Sequence, residues 1–336
     1  MPNRNLLLTL LAAAVLPLSV AACGGKSNDS GGGGGGKLSL VAYSTPKEAY
    51  ASVIPAFQKT PAGQGVTFSQ SYGASGDQSR AVASGLPADV VAFSLAPDVE
   101  KLVKKNLVAK NWANDPYQGF VTNSVVVFAV RKGNPKNIKT WADLTKPGVE
   151  VLEPNPFTSG GAKWNVMAAY GAQVEQGKTP AQANDYLKKL FKNVVVQDKS
   201  ARDALQTFSS GKGDVLLAYE NEAITAQGKG ENLDYVVPDQ TILIQNPIAV
   251  TSDAKNPTAA KAFVSYVRTP AAQRIFASKG YRPVVASAND PRKFPTPPGL
   301  FKIDKFGGWS KVNDQFFDPD KGSVAEIERG LGVSTG

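Results

Sequence analysis

From residue 37 onward, short apolar runs alternate with helix-like segments, and that alternation confines the chain to layered α/β architectures. KLSLVAYS, residues 37–44, has the period-two pattern of a strand and leads directly into the helix-like PKEAYASVIPAFQKT. VTFSQSYG, 66–73, precedes SGDQSRAVASG, and ADVVAFS, 88–94, precedes PDVEKLVKKN. A second block opens at VTNSVVVFAVRKGNP, 121–135, whose run from Val125 to Val130 suits a buried strand. It continues through GVEVLEPNP, the helix-like GGAKWNVMAAYG, NVVVQDKS, the helix-like ARDALQTFSSG and the strand candidate DVLLAYENE. After NPIAVT, 246–251, helical periodicity returns in AAKAFVSYVRT, and beyond it the pattern fades. Strands that each lead into a helix at this spacing predict largely parallel sheets with helices on their faces.

The first residues bear on the compartment. Arg4 precedes an apolar run from Leu6 to Leu16 that is too short to span a bilayer, and Val20-Ala21-Ala22-Cys23 follows. This predicts an export signal over residues 1–22 and a lipobox in which Cys23, the only cysteine, takes a diacylglycerol thioether. A free thiol there would be an oxidation liability outside the cell, whereas an acylated one is consumed. Residues 23–37, rich in glycine, read as the acylated cysteine and a flexible tether. The expected location is extracytoplasmic, anchored to the cell membrane by the N-terminal lipid.

About 300 residues remain for folding, enough for two lobes. No later stretch is long and apolar enough to span a membrane. The formal charge of +9 suits an anionic ligand, and the dispersed cations of an exported chain argue against nucleic acid. The chain has no histidine. With Cys23 committed, a zinc site is disfavoured and a histidine-based catalytic triad is excluded, so neither metal nor cofactor is expected.

Where strand tips meet helix starts, hydroxyl residues recur. Thr45-Pro46-Lys47-Glu48 has the pattern of a capping box, with proline at the first helical position. Ser75-Gly76-Asp77-Gln78 repeats it, and Ser200-Ala201-Arg202-Asp203 resembles it with aspartate in the third place. Thr158-Ser159-Gly160-Gly161-Ala162 puts a serine before two glycines, whose missing Cβ atoms would admit a ligand to the backbone. Helix starts leave N–H groups without intrahelical partners, and such groups bind anions. A cap hydroxyl can accept from its own helix while donating outward. Any one of these starts is ordinary capping; a site requires that several converge, as they would outside the carboxyl ends of strands in a two-lobed α/β protein.

The order of motifs VAYSTPKEAY, YGASGDQ, VRKGNPKNIKTWADL, KPGVEVLEPNPFTSGGAKWN, GDVLLAYENEA, KGYRP and FGGW resembles the sulfate-binding proteins of ATP-driven sulfate and thiosulfate importers, over essentially the whole chain from Lys37. PNPFTSGGAKWN is its sharpest part. The resemblance implies a two-lobed periplasmic-binding-protein type II fold, with mixed, largely parallel sheets flanked by helices and a ligand cleft between the lobes. Residues 38–120 plus 246–300 are expected to form lobe I and 121–245 lobe II, with 301–336 unassigned.

By the same resemblance Ser75 is expected to donate through hydroxyl and amide, Ser159 through its hydroxyl, and Gly160, Gly161 and Ala201 through main-chain N–H groups. Ser44 stands where the family commonly has aspartate, and Tyr219 where it commonly has tryptophan; both are carried as ligand-binding candidates. Tyr43, Thr45, Gly76, Arg202 and Glu220 are candidates for the surrounding layer. Asp77 and Asp198 are weighed as possible acceptors, and Trp141 and Trp164 as packing residues. Sulfate wants donors only, whereas monohydrogen phosphate also carries a proton that needs an acceptor, so a donor-rich pocket favours sulfate. The implied partners are the sulfate ion, the permease and ATPase subunits of the importer, and the membrane through the anchor, with the protein itself a monomer. Thiosulfate, molybdate and phosphate are alternative ligands. An ester-cleaving enzyme lacks a nucleophile or metal set in the sequence, and a purely structural envelope lipoprotein would leave the repeated helix starts without use.

Overall fold

The computed structural model describes residues 35–333 and residue 335. The expected leader, Cys23 and most of the tether lie outside the described residues. The tether ends earlier than expected, because Gly36 and Lys37 already belong to the first strand, where they lie opposite Val66 and Thr67. Missing side chains at Gly36 do not prevent the backbone from joining a ladder.

The first half of the sheet is laid down by three strand–helix units: β1 (Gly36–Tyr43) and α1 (Lys47–Gln58), β2 (Val66–Gly73) and α2 (Ser75–Ala83), then β3 (Val90–Ala92) and α3 (Ala96–Lys104). β4 (Phe120–Arg131) leads into the second half, followed by β5 (Val151–Leu152), α4 (Gly160–Glu175), α5 (Pro180–Lys192) and β6 (Val194–Val196). α6 (Ala201–Ser209), β7 (Val215–Tyr219), α7 (Glu220–Gly228) and β8 (Leu233–Val236) complete it. β9 (Gln240–Val250) returns to the first half, which gains α8 (Pro257–Tyr266), α9 (Pro270–Ser278) and β10 (Arg282–Pro283). The C-terminal segment contains β11 (Gly299–Phe301), α10 (Gly308–Val312) and α11 (Ser323–Gly330).

The principal strand order is β2-β1-β3-β9-β4-β7-β5-β6. Pairing within β2-β1-β3 and β7-β5-β6 is parallel, as strand–helix alternation requires. β4 and β9 are antiparallel to each other and to β7 and β3 respectively, so the two halves are joined through a pair of long crossing strands. The fold is thus mixed α/β, with antiparallel pairing concentrated on β4 and β9. β9 starts six residues before NPIAVT because Thr241 and Gln245 break its apolar run without breaking the ladder.

Each half has its own apolar packing. Tyr50, Val53 and Phe57 of α1 meet Phe263 of α8 and Leu38 and Leu40 of β1. In the second half, Trp164, Met167 and Tyr170 of α4 pack with Val126 and Phe128 of β4 and with Leu187 of α5. The C-terminal segment joins this second cluster through Phe301, Ile303, Phe316 and Ile327. Trp141 and Trp164 are both buried, as expected of packing residues, and their indole N–H groups donate to the Gln240 and Ser94 carbonyls.

Candidate functional site

Strand ends and helix starts from both halves meet at one place. Ser44 follows β1, Ser75 opens α2, Ser159 precedes α4, Ala201 opens α6 and Tyr219 ends β7. Gly161 marks the convergence: a Cβ built on it would lie 3.4 Å from Ser159 Oγ, 3.5 Å from Ala201 Cβ and 3.6 Å from Tyr219 Cε1. Two segments distant in sequence, at Ala201 and Tyr219, therefore meet this glycine and its neighbouring Ser159. The first-turn amides of α4 and α6 lack partners within their own helices, which makes this neighbourhood rich in donors.

Two of the four expected caps form. Ser159 Oγ accepts from Ala162 N at 3.4 Å, leaving its proton free to point elsewhere. Ser200 Oγ accepts from Asp203 N at 3.2 Å, while its own proton goes to Asp203 Oδ2 at 2.7 Å. The other two do not form. Thr45 Oγ1 donates to Glu222 Oε1 at 3.3 Å, and Glu48 turns to Arg202 and Lys229 instead of its own helix start. Ser75 is the first residue of α2 instead of its cap, and its hydroxyl is engaged on both sides. It donates to Asp98 Oδ2 at 2.6 Å and accepts from Ser94 N at 3.0 Å, so the hydroxyl half of its expected donor role is already spent.

The surrounding candidates separate by position. Gly76 N donates to Thr158 O at 3.2 Å, a backbone bond between α2 and the loop before α4. Arg202 reaches the Ser44 and Thr45 carbonyls from Nη2 at 3.2 and 3.3 Å and also pairs with Glu48. Glu220 turns away from this cluster into a two-pronged pair with Arg282, at 2.7 and 3.0 Å, where burial raises its carboxyl despite the guanidinium. Tyr43 is buried with its hydroxyl unpartnered among the described residues, and its ring lies 6.5 Å from that of Tyr219. Burial pushes the phenols of Tyr43 and Tyr219 well above their ordinary value, so both stay protonated. Asp77 is taken up by Arg80 and, at 2.9 Å, Lys199, and Asp198 accepts from Thr207 at 3.1 Å.

Gly160 also has a packing role beside its expected one as an amide donor. A Cβ there would stand 2.8 Å from Leu95 Cδ2, 2.9 Å from Ser94 Cβ and 3.0 Å from Ser94 Oγ. Its bare Cα makes room for the residues after β3, while its N–H remains at the start of α4. The neighbour that sequence reasoning passed over is Ser94. It is fully buried, and its Oγ lies 2.7 Å from Tyr219 OH. Its position at the carboxyl end of an apolar strand, where α/β proteins place ligands, was the available signal.

A cleft of ≈ 370 Å³ opens beside these residues, lined by Ser44, Tyr72, Asp77, Lys199 and Arg202 among others. Glu222, buried under Thr45, has its carboxyl raised to about 7 by burial, against the opposing pull of Arg202 and the Tyr219 amide. The whole is an assembly of neutral donors with paired charges around it.

Residues 38–282 match the family model described as bacterial extracellular solute-binding protein. A sulfate-binding protein of Synechococcus elongatus is 43% identical over 94% of this chain and 94% of its own length. A thiosulfate-binding protein of Pseudomonas aeruginosa is 36% identical over 82% of this chain and 88% of its own. Among solved structures, the sulfate-binding protein SubI of Mycobacterium tuberculosis is 44% identical, with a TM-score of 0.82, and the match covers 84% of this chain and 99% of that one. With its two sheet halves joined by crossing strands, the chain belongs to the bacterial extracellular solute-binding protein family and has the type II periplasmic-binding-protein fold.

Proposed function

We propose that the protein captures sulfate outside the cytoplasm and delivers it to the permease and ATPase subunits of an ATP-driven importer. The observation that carries this is the meeting of Ser159, Gly161, Ala201 and Tyr219 from three separate segments around one point. Backbone N–H groups at helix starts stabilise a dianion without a direct salt bridge and without an acidic acceptor that would repel it. Ser44, Ser75, Ser159, Gly160, Gly161, Ala201 and Tyr219 form the proposed ligand shell, with Ser75 acting through its amide. Relatives named for sulfate and for thiosulfate support an oxyanion of this class.

In this reading residues 38–120 with 246–300 form lobe I and 121–245 lobe II. The C-terminal segment goes with lobe II, because Phe301, Ile303 and Phe316 share the core of α4. Cys23 carries the lipid that tethers a monomer to the membrane. Replacing it with alanine should release the protein from the membrane fraction, and retention there would count against the anchor.

Calorimetric titration of the ligand-free full chain with sulfate, thiosulfate, molybdate and phosphate tests the main claim. One sulfate per chain, bound without added metal, is expected; a folded protein that takes up no sulfate would refute it.

A further inference from the structure

Two glutamates from distant parts of the chain are sealed together in the second half of the fold. Glu153 follows β5 and Glu328 lies in α11, and they are 1% and 0% exposed. Each has one oxygen satisfied by a carboxamide. Asn165 Nδ2 donates to Glu153 Oε2 and to the Leu217 carbonyl, both at 3.0 Å, and Gln197 Nε2 donates to Glu328 Oε2 at 2.8 Å. The remaining oxygen of each, Oε1, is buried and meets no donor among the described residues.

The charges on the surrounding elements are engaged elsewhere. On α11, Arg329 donates to the Asp320 carbonyl at 2.9 Å and Glu326 is exposed. On α5, against which α11 packs, Lys188 pairs with Asp185 at 3.1 Å, and Lys189 and Lys192 are exposed. Lys163 of α4 donates to Asn313 at 2.8 Å and Glu175 pairs with Lys305, while Asp314 beside them is exposed. Around β5, β6 and β7, Glu150 faces Lys212 at 3.6 Å, Asp214 faces Lys136 at 3.7 Å, Asp198 accepts from Thr207 at 3.1 Å and Lys199 pairs with Asp77 at 2.9 Å. Two neighbouring buried carboxylates without a counter-charge cost desolvation and repel each other, and a retained proton relieves both. Burial, and then the charge of Glu328, push the Glu153 carboxyl well above its ordinary value; burial raises Glu328 against the hydrogen bond from Gln197. A protonated carboxyl is also a donor, which is what the two Oε1 atoms lack.

We propose that Glu153 and Glu328 share one proton, and that this proton latches α11 onto the second half of the fold and lets go as the solution turns alkaline. The latch lies at the root of the loop before α4: Glu153 N donates to the Val196 carbonyl at 3.3 Å, and two residues on the Asn155 carbonyl accepts from the Thr158 and Ser159 amides at 3.2 and 2.8 Å. When α11 lifts, water reaches both carboxyls and each titrates near its ordinary value of 4.5. Below that pH both the closed and the opened pair are protonated and the latch is fully in force. Above it the opened form releases a proton that the closed form keeps, so opening is favoured more with every rise in pH until the closed pair ionises too.

The test is hydrogen exchange of the α11 amides in the full chain from pH 6 to 9, corrected for the intrinsic exchange rate, for the native protein and for Glu328→Gln. The amide of glutamine has the shape of the protonated carboxyl, donates to Glu153 and holds the pair at the same charge, but it cannot release a proton. Protection of α11 in the native protein should fall by about tenfold per pH unit, one proton being released on opening, and should stay level in Glu328→Gln. Glu222 titrates alike in both proteins and cancels from the comparison. Glu153→Gln should abolish the same slope and serves if Glu328→Gln fails to fold. Equal slopes in native and variant chains would overturn the inference. So would α11 protection in the native protein that rises with added calcium and collapses with a chelator, since a cation and not a proton would then join the two carboxylates.

Discussion

Arg202 and Glu48 face each other across the two halves of the fold: Nη1 donates to Oε1 at 2.7 Å and Nη2 bonds the second carboxylate oxygen. Lys229 adds a further bond to Oε1 at 2.5 Å. Burial alone would raise the Glu48 carboxyl, but the hydrogen bonds from Arg202 and Lys229 dominate and hold it at about 2. Since α1 and α6 both start at the proposed anion site, the pair ties two of its walls together, assisted by Lys199 and Asp77 at 2.9 Å.

Arg202→Ala removes this tie and also releases the Ser44 and Thr45 carbonyls. The side chains are 25% and 21% exposed, so the expected loss is that of a partly screened pair. Sulfate should bind about three- to tenfold more weakly, with most of the change in the dissociation rate. Stopped-flow displacement resolves this; an unchanged off-rate would show that the pair has no part in retaining the ligand.

The two glycines of α4 should respond differently to substitution. At Gly160 a Cβ meets Leu95 and Ser94 at 2.8–3.0 Å, so Gly160→Ala strains the packing and should cost stability of about 1–3 kcal/mol. At Gly161 a Cβ has ordinary contacts of 3.4–3.6 Å, but the further methyls of valine would extend toward Ser159, Ala201 and Tyr219. Gly161→Val should therefore impair sulfate binding more than it impairs folding. Thermal melts alongside titrations separate the two, and a Gly161→Val protein with native affinity would place the anion elsewhere.

Much of this was legible in the sequence because strand–helix alternation and cap residues are local signals. β1, β2, β3, β4 and β7 and the helices α1, α3, α4, α6 and α8 can be read from period and turn chemistry. Thr45 and Ser75 show the limit. Their sequences specify capping boxes, yet the better partners, Glu222 and Asp98, come from 177 and 23 residues away and take the hydroxyls. Glu220 was likewise placed near the cleft by its neighbours in the chain, but Arg282 draws it aside. Ser94 carried no motif at all; its importance comes from facing Tyr219, 125 residues distant. The C-terminal segment was hard to read because Phe301, Phe306 and Phe316 come from short, irregular elements and pack on Gly171 and Tyr170 of α4 instead of forming a period of their own.

Ser159→Ala tests the cap and the site together. Losing the oxygen that accepts from Ala162 should cost about 1 kcal/mol of stability. Losing the outward proton should weaken sulfate binding by about 1–3 kcal/mol, because an oxyanion contact is left unmet. Ser200→Ala is the control, since the Ser200 proton is already spent on Asp203. It should show the first effect without the second. Equal losses of affinity in both variants, measured by titration, would mean that Ser159 acts only as a cap.

Glu222 gives the protein a stability that depends on pH. Its folded carboxyl is raised from 4.5 to about 7 by burial, with Arg202, Tyr219 and Thr45 opposing the shift. Below about pH 4.5 the group is protonated in both folded and unfolded chains and contributes no difference. Between about 4.5 and 7 the unfolded chain releases this proton while the folded one keeps it, so the unfolded state binds fewer protons and stability falls as pH rises. Glu222→Gln keeps the shape and the Thr45 contact but cannot titrate. The variant should gain thermal stability relative to the native protein across that window, with the gap levelling off above pH 7. Melting temperatures from pH 4 to 8 check this: a gap that does not widen with pH would show that Glu222 is ionised in the fold, its charge held by Arg202.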